Sequence, residues 1–237
     1  MIQTEGIFVG GSAISAPIIG EDFNWTGGDG TYQVLDDGGG NWRIKLLSSG
    51  TFTPLKNMVI DVFLVGGGGG AGSSYCGEGG AGYTTTVRSV VLTANTAYSI
   101  VVGAAGTNGN PSSAGGETTA FTASAAGGKN TSNGTSSSKR PGGAGGSGGA
   151  GYVSPVATTT GGTDGGDGTS SATTGGKGQG TTTREFGEAD GTLYASGGGS
   201  NLTATVSNSG NGGRNGITSI EPADGIVVIR QHKEVAA

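Results

Sequence analysis

Few side chains of this protein are of the types that carry out catalysis. His232 is the only histidine and Cys76 the only cysteine. A Ser-His-Asp or Cys-His site needs a histidine that is held in place, and His232 follows the last apolar run in a charged tail. We therefore expect no nucleophilic site. Cys76 has no second cysteine with which to form an internal disulfide, and we expect it to lie in a loop without a chemical role.

Three carboxylates close together are the remaining candidates for chemistry. Glu185, Glu188 and Asp190 lie in one loop, and glycoside hydrolysis needs only two positioned carboxylates. Spacing alone is weak evidence, so a solvated acidic turn is the favoured interpretation and a polysaccharide depolymerase is the alternative. The pattern GGTDGGDG occurs once, whereas glycine-aspartate calcium sites need tandem copies. The prediction is a protein that is not an enzyme and has no cofactor and no metal.

Charge and hydropathy indicate whether the protein binds nucleic acid, enters a membrane or is exported. The net charge is −5, and the lysines and arginines are scattered singly apart from Lys139-Arg140, so we expect no nucleic acid partner. No stretch approaches the roughly 20 apolar residues of a spanning helix, and we expect no membrane insertion. The first residues include Glu5 and have no Lys or Arg before the apolar stretch, unlike a Sec signal peptide. We expect synthesis in a cytoplasm without Sec export.

Glycine is the most unusual feature of the composition. The 237 residues include 55 Gly but only six Pro, which excludes the collagen pattern. The longest glycine island, GGAGGSGGAG at 142–151, has a period of three. Three residues per turn is the repeat of the polyproline-II helix, whose backbone can bond to neighbours only where no side chain intervenes. The islands predict packed polyglycine-II helices; flexible linkers are the alternative. The glycines expected in this packing include Gly66, Gly67, Gly68, Gly69, Gly70, Gly142, Gly143, Gly145, Gly146, Gly148 and Gly149.

Strand-like runs bracket the glycine islands. In 41–47, Trp42, Ile44 and Leu46 alternate with charged residues, the period of a half-buried strand. The run at 59–65 is apolar except for Asp61, as in a strand buried on both faces. We expect two further strands to form a hairpin, and a C-terminal strand to pair with the 59–65 run or with that hairpin. These three runs are 83–92, 96–102 and 225–230.

These patterns predict a mainly β fold with no substantial helix. A small β-sandwich-like N-terminal unit is expected at 1–58. It is followed at 59–230 by a glycine-rich domain of packed polyglycine-II helices framed by short strands, and at 231–237 by a tail.

Several motifs occur together in an order that resembles a known family. They are WRIKLLSSGTFTPL, IDVFLVGGGGGAG, GGAGYTTTVRSVVLTANTAYSIVVGAAG, GGETTAF, GGAGGSGGAG and DGIVVIR. Over roughly 41–230 the chain resembles the glycine-rich domain of phage and prophage tail proteins. It is similar in architecture to the tail-fibre tip adhesins of T-even-like phages, which implies polyglycine-II helices with receptor-binding loops at one end. The segment 217–224, ITSIEPAD, stands where the family usually continues glycine-rich sequence. The resemblance therefore does not fix the number of glycine helices in this chain.

The resemblance implies a virion protein that adheres to a host cell. We expect its receptor, a bacterial surface protein or glycan, to be bound by loops, because rods without side chains can vary in function only through the loops between them. The alternatives are a purely structural fibre or baseplate component and a bacterial surface glycine-rich protein. We expect the N-terminal unit to attach to another virion fibre or tail protein, and a homotrimer is one option.

Aromatic and polar loop residues are the candidates for receptor contact. Rings give contact area at a low cost in entropy, although they can instead pack against the scaffold. The candidate residues are Tyr75, Tyr152, Arg184, Phe186, Tyr194 and Asn201.

Overall fold

The computed structural model describes residues 17–28, 30–73, 75–134, 140–152, 160–169, 174–214 and 219–232. These ranges contain ten strands and one short 3-10 turn, Glu185–Gly187, and no α-helix. The mainly β fold is thereby confirmed. The strands are β1 (Phe23–Trp25), β2 (Tyr32–Gly38), β3 (Asn41–Leu46), β4 (Gly50–Pro54), β5 (Met58–Val65), β6 (Thr84–Leu92), β7 (Tyr98–Val101), β8 (Thr118–Ala120), β9 (Ala123–Ala125) and β10 (Ile226–Gln231).

The strands form two five-stranded antiparallel sheets. The first sheet has the order β2-β3-β10-β5-β6, and the second has the order β1-β4-β7-β8-β9. Strand β10 lies between β3 and β5, with Val228 opposite Lys45 on one side and Phe63 on the other. The predicted pairing of the C-terminal run with the 59–65 run is therefore confirmed.

The predicted hairpin of the next two runs is wrong. β6 pairs with β5 in the first sheet, whereas β7 pairs with β4 and β8 in the second. The turn between them carries the chain across from one sheet to the other, and the Asn95 N–H donates to the Pro54 carbonyl. Leu92 and Ile100 are buried in the same core from opposite sheets. A hairpin would have placed both side chains in one sheet and left β4 without this neighbour.

The predicted domain boundaries do not separate structural units. β3 and β4, from the expected N-terminal unit, pair with β10 and β7 of the glycine-rich domain. The expected tail begins with residues that continue β10: Gln231 pairs with Ile60, and the His232 N–H donates to the Val59 carbonyl. Residues 1–16 and 233–237 lie outside the described part of the chain.

The first sheet is covered on both faces. Trp42, Ile44 and Leu46 are buried in the core between the two sheets, as their alternation predicts. Phe23 and Phe52 stack in the same core with ring centroids 5.1 Å apart. The opposite face of the sheet packs in a second, smaller cluster. Its buried members are Phe63, Val65, Ala81, Phe186, Tyr194, Ala195, Ile226 and Val228.

A glycine segment, 66–71, continues from β5 as an extended rod whose backbone bonds are all made to other segments. Positions three apart bond to the same neighbour: the N–H groups of Gly66 and Gly69 both donate to carbonyls of segment 80–83. N–H and C=O groups together reach six neighbouring segments. Six neighbours around one rod is the closest packing of cylinders, and it is compatible with the packed polyglycine-II helices that the sequence predicts. The six neighbours are 77–83, 103–109, 113–117, 126–131, 208–214 and 219–225.

The rods approach so closely that a side chain has no space between them. At each predicted lattice glycine of 66–70 and 142–149, an added Cβ would lie under 3.0 Å from the backbone carbonyl oxygen of a residue distant in sequence, or, for Gly142, of Gly149, because the 142–151 island folds back on itself. Outer rods carry side chains on their solvent face only. Ala126 and Lys129 are exposed, whereas the two glycines between them are buried. In this rod the period of three places one side chain per turn towards solvent.

Candidate functional site

The glycine rods run between the sheets and a remote end. Segment 66–71 leaves β5 and 77–83 returns to β6, while 103–107 leaves β7 and 113–117 returns to β8. The turns between these rods, at 72–76 and 108–112, therefore lie at the end of the lattice away from the sheets. This end is termed the tip. It is defined by Gly72, Ser73, Tyr75, Cys76, residues 108–112, and Asn133 and Tyr152, which contact the first turn.

Tyr75 and Tyr152 are brought together at the tip. Their ring centroids are 5.7 Å apart with an angle of 74° between the planes, an edge-to-face contact. Tyr75 is 41% exposed. Two of the predicted contact residues, distant in sequence, thus form one surface feature.

The turn that carries Tyr75 is strained and tightly bonded. Tyr75 has a φ of 48°, in the left-handed region that non-glycine residues rarely adopt. The Ser73 N–H donates to Asn133 Oδ1 at 2.7 Å, and Asn133 Nδ2 donates back to Ser73 Oγ at 3.0 Å. The Cys76 thiol donates to the Gly72 carbonyl at 2.8 Å. Burial raises the pKa of this thiol to about 11, which keeps it protonated.

Amide and hydroxyl side chains cap the ends of the rods. Asn108 Oδ1 accepts from the Ala71 N–H at 2.8 Å, and its Nδ2 donates to the Ile220 carbonyl at 2.9 Å. Asn201, another predicted contact residue, accepts from the Gly161 N–H at 2.9 Å. The last N–H groups of a rod have no further rod to bond, so a polar side chain satisfies them as at a helix N-terminus. Sequence reasoning missed this role, although asparagine after a glycine run was a signal for it.

The other predicted contact residues lie far from the tip, against the first sheet. Phe186 is 3% and Tyr194 is 6% exposed, and both rings contact Phe63, at centroid distances of 6.0 and 5.6 Å. Their assignment to receptor contact is therefore corrected: they form a minor core that covers the outer face of the sheet. Arg184 forms hydrogen bonds that hold the same loop. Its Nε donates to Asp164 Oδ2 at 3.3 Å and its Nη1 donates to the Gly191 carbonyl at 3.1 Å.

The acidic loop pairs with basic residues of the first sheet. Glu185 is 2% exposed, and its Oε1 accepts from Arg43 Nη1 at 2.8 Å. Glu188 pairs with Arg230 at 2.8 Å, and the Arg230 guanidinium lies 4.0 Å from the Phe186 ring centroid. A cleft of about 260 Å³ lies beside these pairs. Glu185 is buried and paired with Arg43, so its carboxylate is not accessible to a sugar substrate. The two ion pairs hold the acidic loop against the first sheet.

His232 does not lie in a free tail, contrary to expectation. Its Nδ1 is 2.6 Å from Asp61 Oδ1, and Ser89 Oγ is 3.1 Å from its Nε2, so the residue types of a hydrolase triad meet. Ser89 Oγ is also 3.4 Å from Nδ1. Nearly equal distances to both ring nitrogens place the hydroxyl against the ring face, off the Nε2 lone pair that a general base uses. In this arrangement the three residues do not form a nucleophilic triad.

Asp61 is the centre of that charged cluster. It is fully buried, and its Oδ2 accepts from Arg88 at 3.0 Å and from Arg230 at 3.2 Å. Burial by itself raises the pKa of Asp61, but bonds from His232, the Ser89 N–H and Arg230 outweigh it and hold the pKa below its usual value. The one polar residue of the apolar 59–65 run is thus a paired structural charge.

Neither a metal centre nor a spanning helix is found in the part of the chain that the structure describes. No group of three His, Cys, Asp or Glu side chains there is placed to hold a metal ion. None of the described helices is long and apolar enough to cross a membrane.

Comparison with known proteins identifies the domain that contains the lattice. No curated protein matches the chain in sequence. A family model described as a glycine-rich domain matches residues 47–230, from the residue after β3 to within β10. The match covers the rods described above together with β4 to β9 and most of β10. Since it spans more than half of the sequence, this chain belongs to the glycine-rich domain family.

Proposed function

We propose that the protein is a bacteriophage tail-fibre or tail-tip adhesin that binds a receptor on the bacterial surface through its tip. The observation that carries this proposal is an exposed, strained tyrosine, Tyr75, held on a rigid lattice at the end away from the sheets. Strained residues that the surrounding structure holds in place occur preferentially at functional sites. The order of the motifs from VFLVGGGGG to GIVVIR supports the assignment to a phage tail.

The lattice suits a receptor-binding protein because it limits loop motion. Each rod is bonded to several others, so the turns at their ends start from fixed positions. A binding surface that is ordered before it meets its partner loses less entropy on binding. Variation in loop sequence would change the surface without disturbing the rods.

The opposite end is assigned to attachment within the virion. There the two sheets bury large aromatic and aliphatic side chains between them. Attachment of this end to another fibre or tail protein would leave the tip pointing outward.

A binding titration tests the proposal. Purified protein is titrated on a panel of bacterial strains beside two variants, Tyr75→Ala at the tip and Val91→Ala on β6, where Val91 is 68% exposed. We expect saturable binding to some strains, about tenfold weaker for Tyr75→Ala, a loss of about 1.4 kcal/mol, and unchanged for Val91→Ala. Absence of binding to every strain, with the protein incorporated into particles, would instead support a purely structural virion component.

A further inference from the structure

We propose that the tip binds a saccharide, and that Tyr75 and Tyr152 are the residues on which a sugar ring packs. This inference rests on the proposed adhesin function and names the chemical class of its receptor. It is argued from the geometry of the two rings, from the side chains around them and from the apolar surface that the tip presents.

The rings of Tyr75 and Tyr152 pack edge to face and form one aromatic surface. Their planes meet at 74° with centroids 5.7 Å apart, so each ring limits the rotation of the other. The face of an aromatic ring carries partial negative charge. The C–H groups on one face of a pyranose carry partial positive charge and form a flat apolar patch of similar size. A sugar ring can therefore pack on Tyr75, which remains 41% exposed.

The polar groups bonded around Tyr75 are uncharged. Ser73 and Asn133 bond to each other at 2.7 and 3.0 Å, and Thr131 Oγ1 accepts from the Gly72 N–H at 3.1 Å. Hydroxyl and amide groups both donate and accept hydrogen bonds, as the hydroxyls of a sugar do. Ser73 is exposed and lies two residues from Tyr75. These hydroxyl and amide groups can form hydrogen bonds with a hydroxyl-rich ligand.

Among the described residues, Tyr75 is the large exposed apolar side chain of the tip. The pair of tyrosine rings offers a contact area that matches a single sugar ring.

The backbone of Tyr75 adds to this argument. The left-handed φ of 48° is held by the bonds of Ser73 to Asn133 and of Cys76 to Gly72. These bonds hold the backbone from which the ring projects, and the contact with Tyr152 limits the ring itself, so less freedom is lost on binding.

Selective treatment of cells separates the two receptor classes. Strains that bind the protein are treated with periodate, which cleaves vicinal diols of sugars, or with proteinase K, which removes surface protein. We expect periodate to abolish binding, proteinase K to leave it unchanged, and polysaccharide purified from the same cells to compete. Loss of binding after proteinase K but not after periodate would overturn the saccharide proposal while leaving the adhesin function intact. Absence of binding to all untreated strains would refute both.

Variants test the assigned residues. Tyr75→Ala and Tyr152→Ala are each expected to weaken binding to the purified polysaccharide about tenfold, as removal of an aromatic contact should. Tyr75→Phe keeps the ring and is expected to retain most of the affinity, and Val91→Ala serves as the matched control. Circular dichroism and thermal unfolding show whether each variant is folded. Unchanged affinity in folded Tyr75→Ala and Tyr152→Ala would overturn the assignment.

Discussion

The sheets and the glycine lattice exclude water by opposite means. Between the sheets, large side chains such as Phe52 and Ile44 fill the space, and a central strand such as β10 bonds to two neighbours. In the lattice, segment 66–71 has no large side chain and bonds to six neighbours. The difference teaches that glycine, which loses the most conformational entropy on folding, can form a packed interior when each backbone group finds a partner in another rod.

The two interiors should therefore respond differently to substitution. A side-chain core adjusts in part when a group is removed. At most lattice glycines the nearest atoms are backbone, so an added methyl group there has no flexible side chain to displace. The following predictions test this contrast, beginning with the largest expected effect.

An alanine within the lattice should be more damaging than one at a surface turn. The added Cβ of Gly68→Ala would meet the Asn211 carbonyl oxygen and force rods apart, which breaks several buried hydrogen bonds at about 1–3 kcal/mol each. We expect a loss of more than about 4 kcal/mol in the free energy of unfolding, or no folded protein. Gly180 has a φ of +75° and no atom within 4 Å of an added Cβ, so Gly180→Ala should cost only about 1–2 kcal/mol. Similar urea midpoints for the two variants would contradict the lattice argument.

Removal of a core ring should cost less than the lattice substitution. Phe52 is fully buried and stacks on Phe23. We expect Phe52→Ala to lower the free energy of unfolding by about 3–4 kcal/mol, within the range for buried phenylalanine. Chemical denaturation measures this, and a loss larger than that of Gly68→Ala would reverse the proposed ranking.

The buried charge of the first sheet should make stability depend on pH in the acid range. Since the pKa of Asp61 lies below its ordinary value of 3.8, the unfolded chain binds the proton more readily than the folded one. The contribution of the ionised carboxylate is therefore present above about pH 4 and is lost as the pH falls through the folded pKa.

Asp61→Asn separates this effect from other acid effects. It leaves two arginines without their buried counter-charge, and we expect a loss of about 3 kcal/mol at pH 7 together with a weaker dependence on pH between about 5 and 2. Asp190→Asn, at an exposed position, is the control. Thermal unfolding across this pH range measures both variants, and equal pH dependence in Asp61→Asn and wild type would count against the role of Asp61.

The Cys76 thiol at the tip should react slowly with thiol reagents as long as the protein is folded. Burial and a raised pKa of about 11 keep Cys76 as an unreactive thiol. We expect modification by a thiol reagent at pH 8 to be slow in native protein and fast in urea. Rapid modification of folded protein would indicate that the turn around Tyr75 opens, which would weaken the argument for a rigid tip.

Local periodicity predicted many elements of the fold. The alternation of Trp42, Ile44 and Leu46 identified β3 and its buried face, and the five glycines at 66–70 identified the central rod. Other rods, such as 103–109 and 126–131, lie outside the long glycine islands. Pairing partners were less predictable: the expected hairpin of β6 and β7 and the boundary at residue 58 were wrong. A period of two shows which side chains share a face, but the choice of neighbouring strand depends on contacts distant in sequence.

The candidate site was predicted only in part. Tyr75 and Tyr152 were identified separately, but nothing in the sequence indicated that they meet at 5.7 Å. Phe186 and Tyr194 had the same loop context and are buried, because the outer face of the first sheet needed cover. One available signal was missed. Asp61 and Arg230 are single charges in two apolar strands, and an antiparallel pairing of those strands places them opposite each other.

The sequence by itself determined where the chain is extended, where side chains are absent and which strand faces are apolar. These properties depend on the backbone preferences of neighbouring residues and on their spacing. Only the tertiary structure decided which rod lies beside which, which aromatic rings are covered and which reach the tip. A glycine rod has no side chains to distinguish its neighbours, so the order of packing follows from the strands and turns that connect the rods.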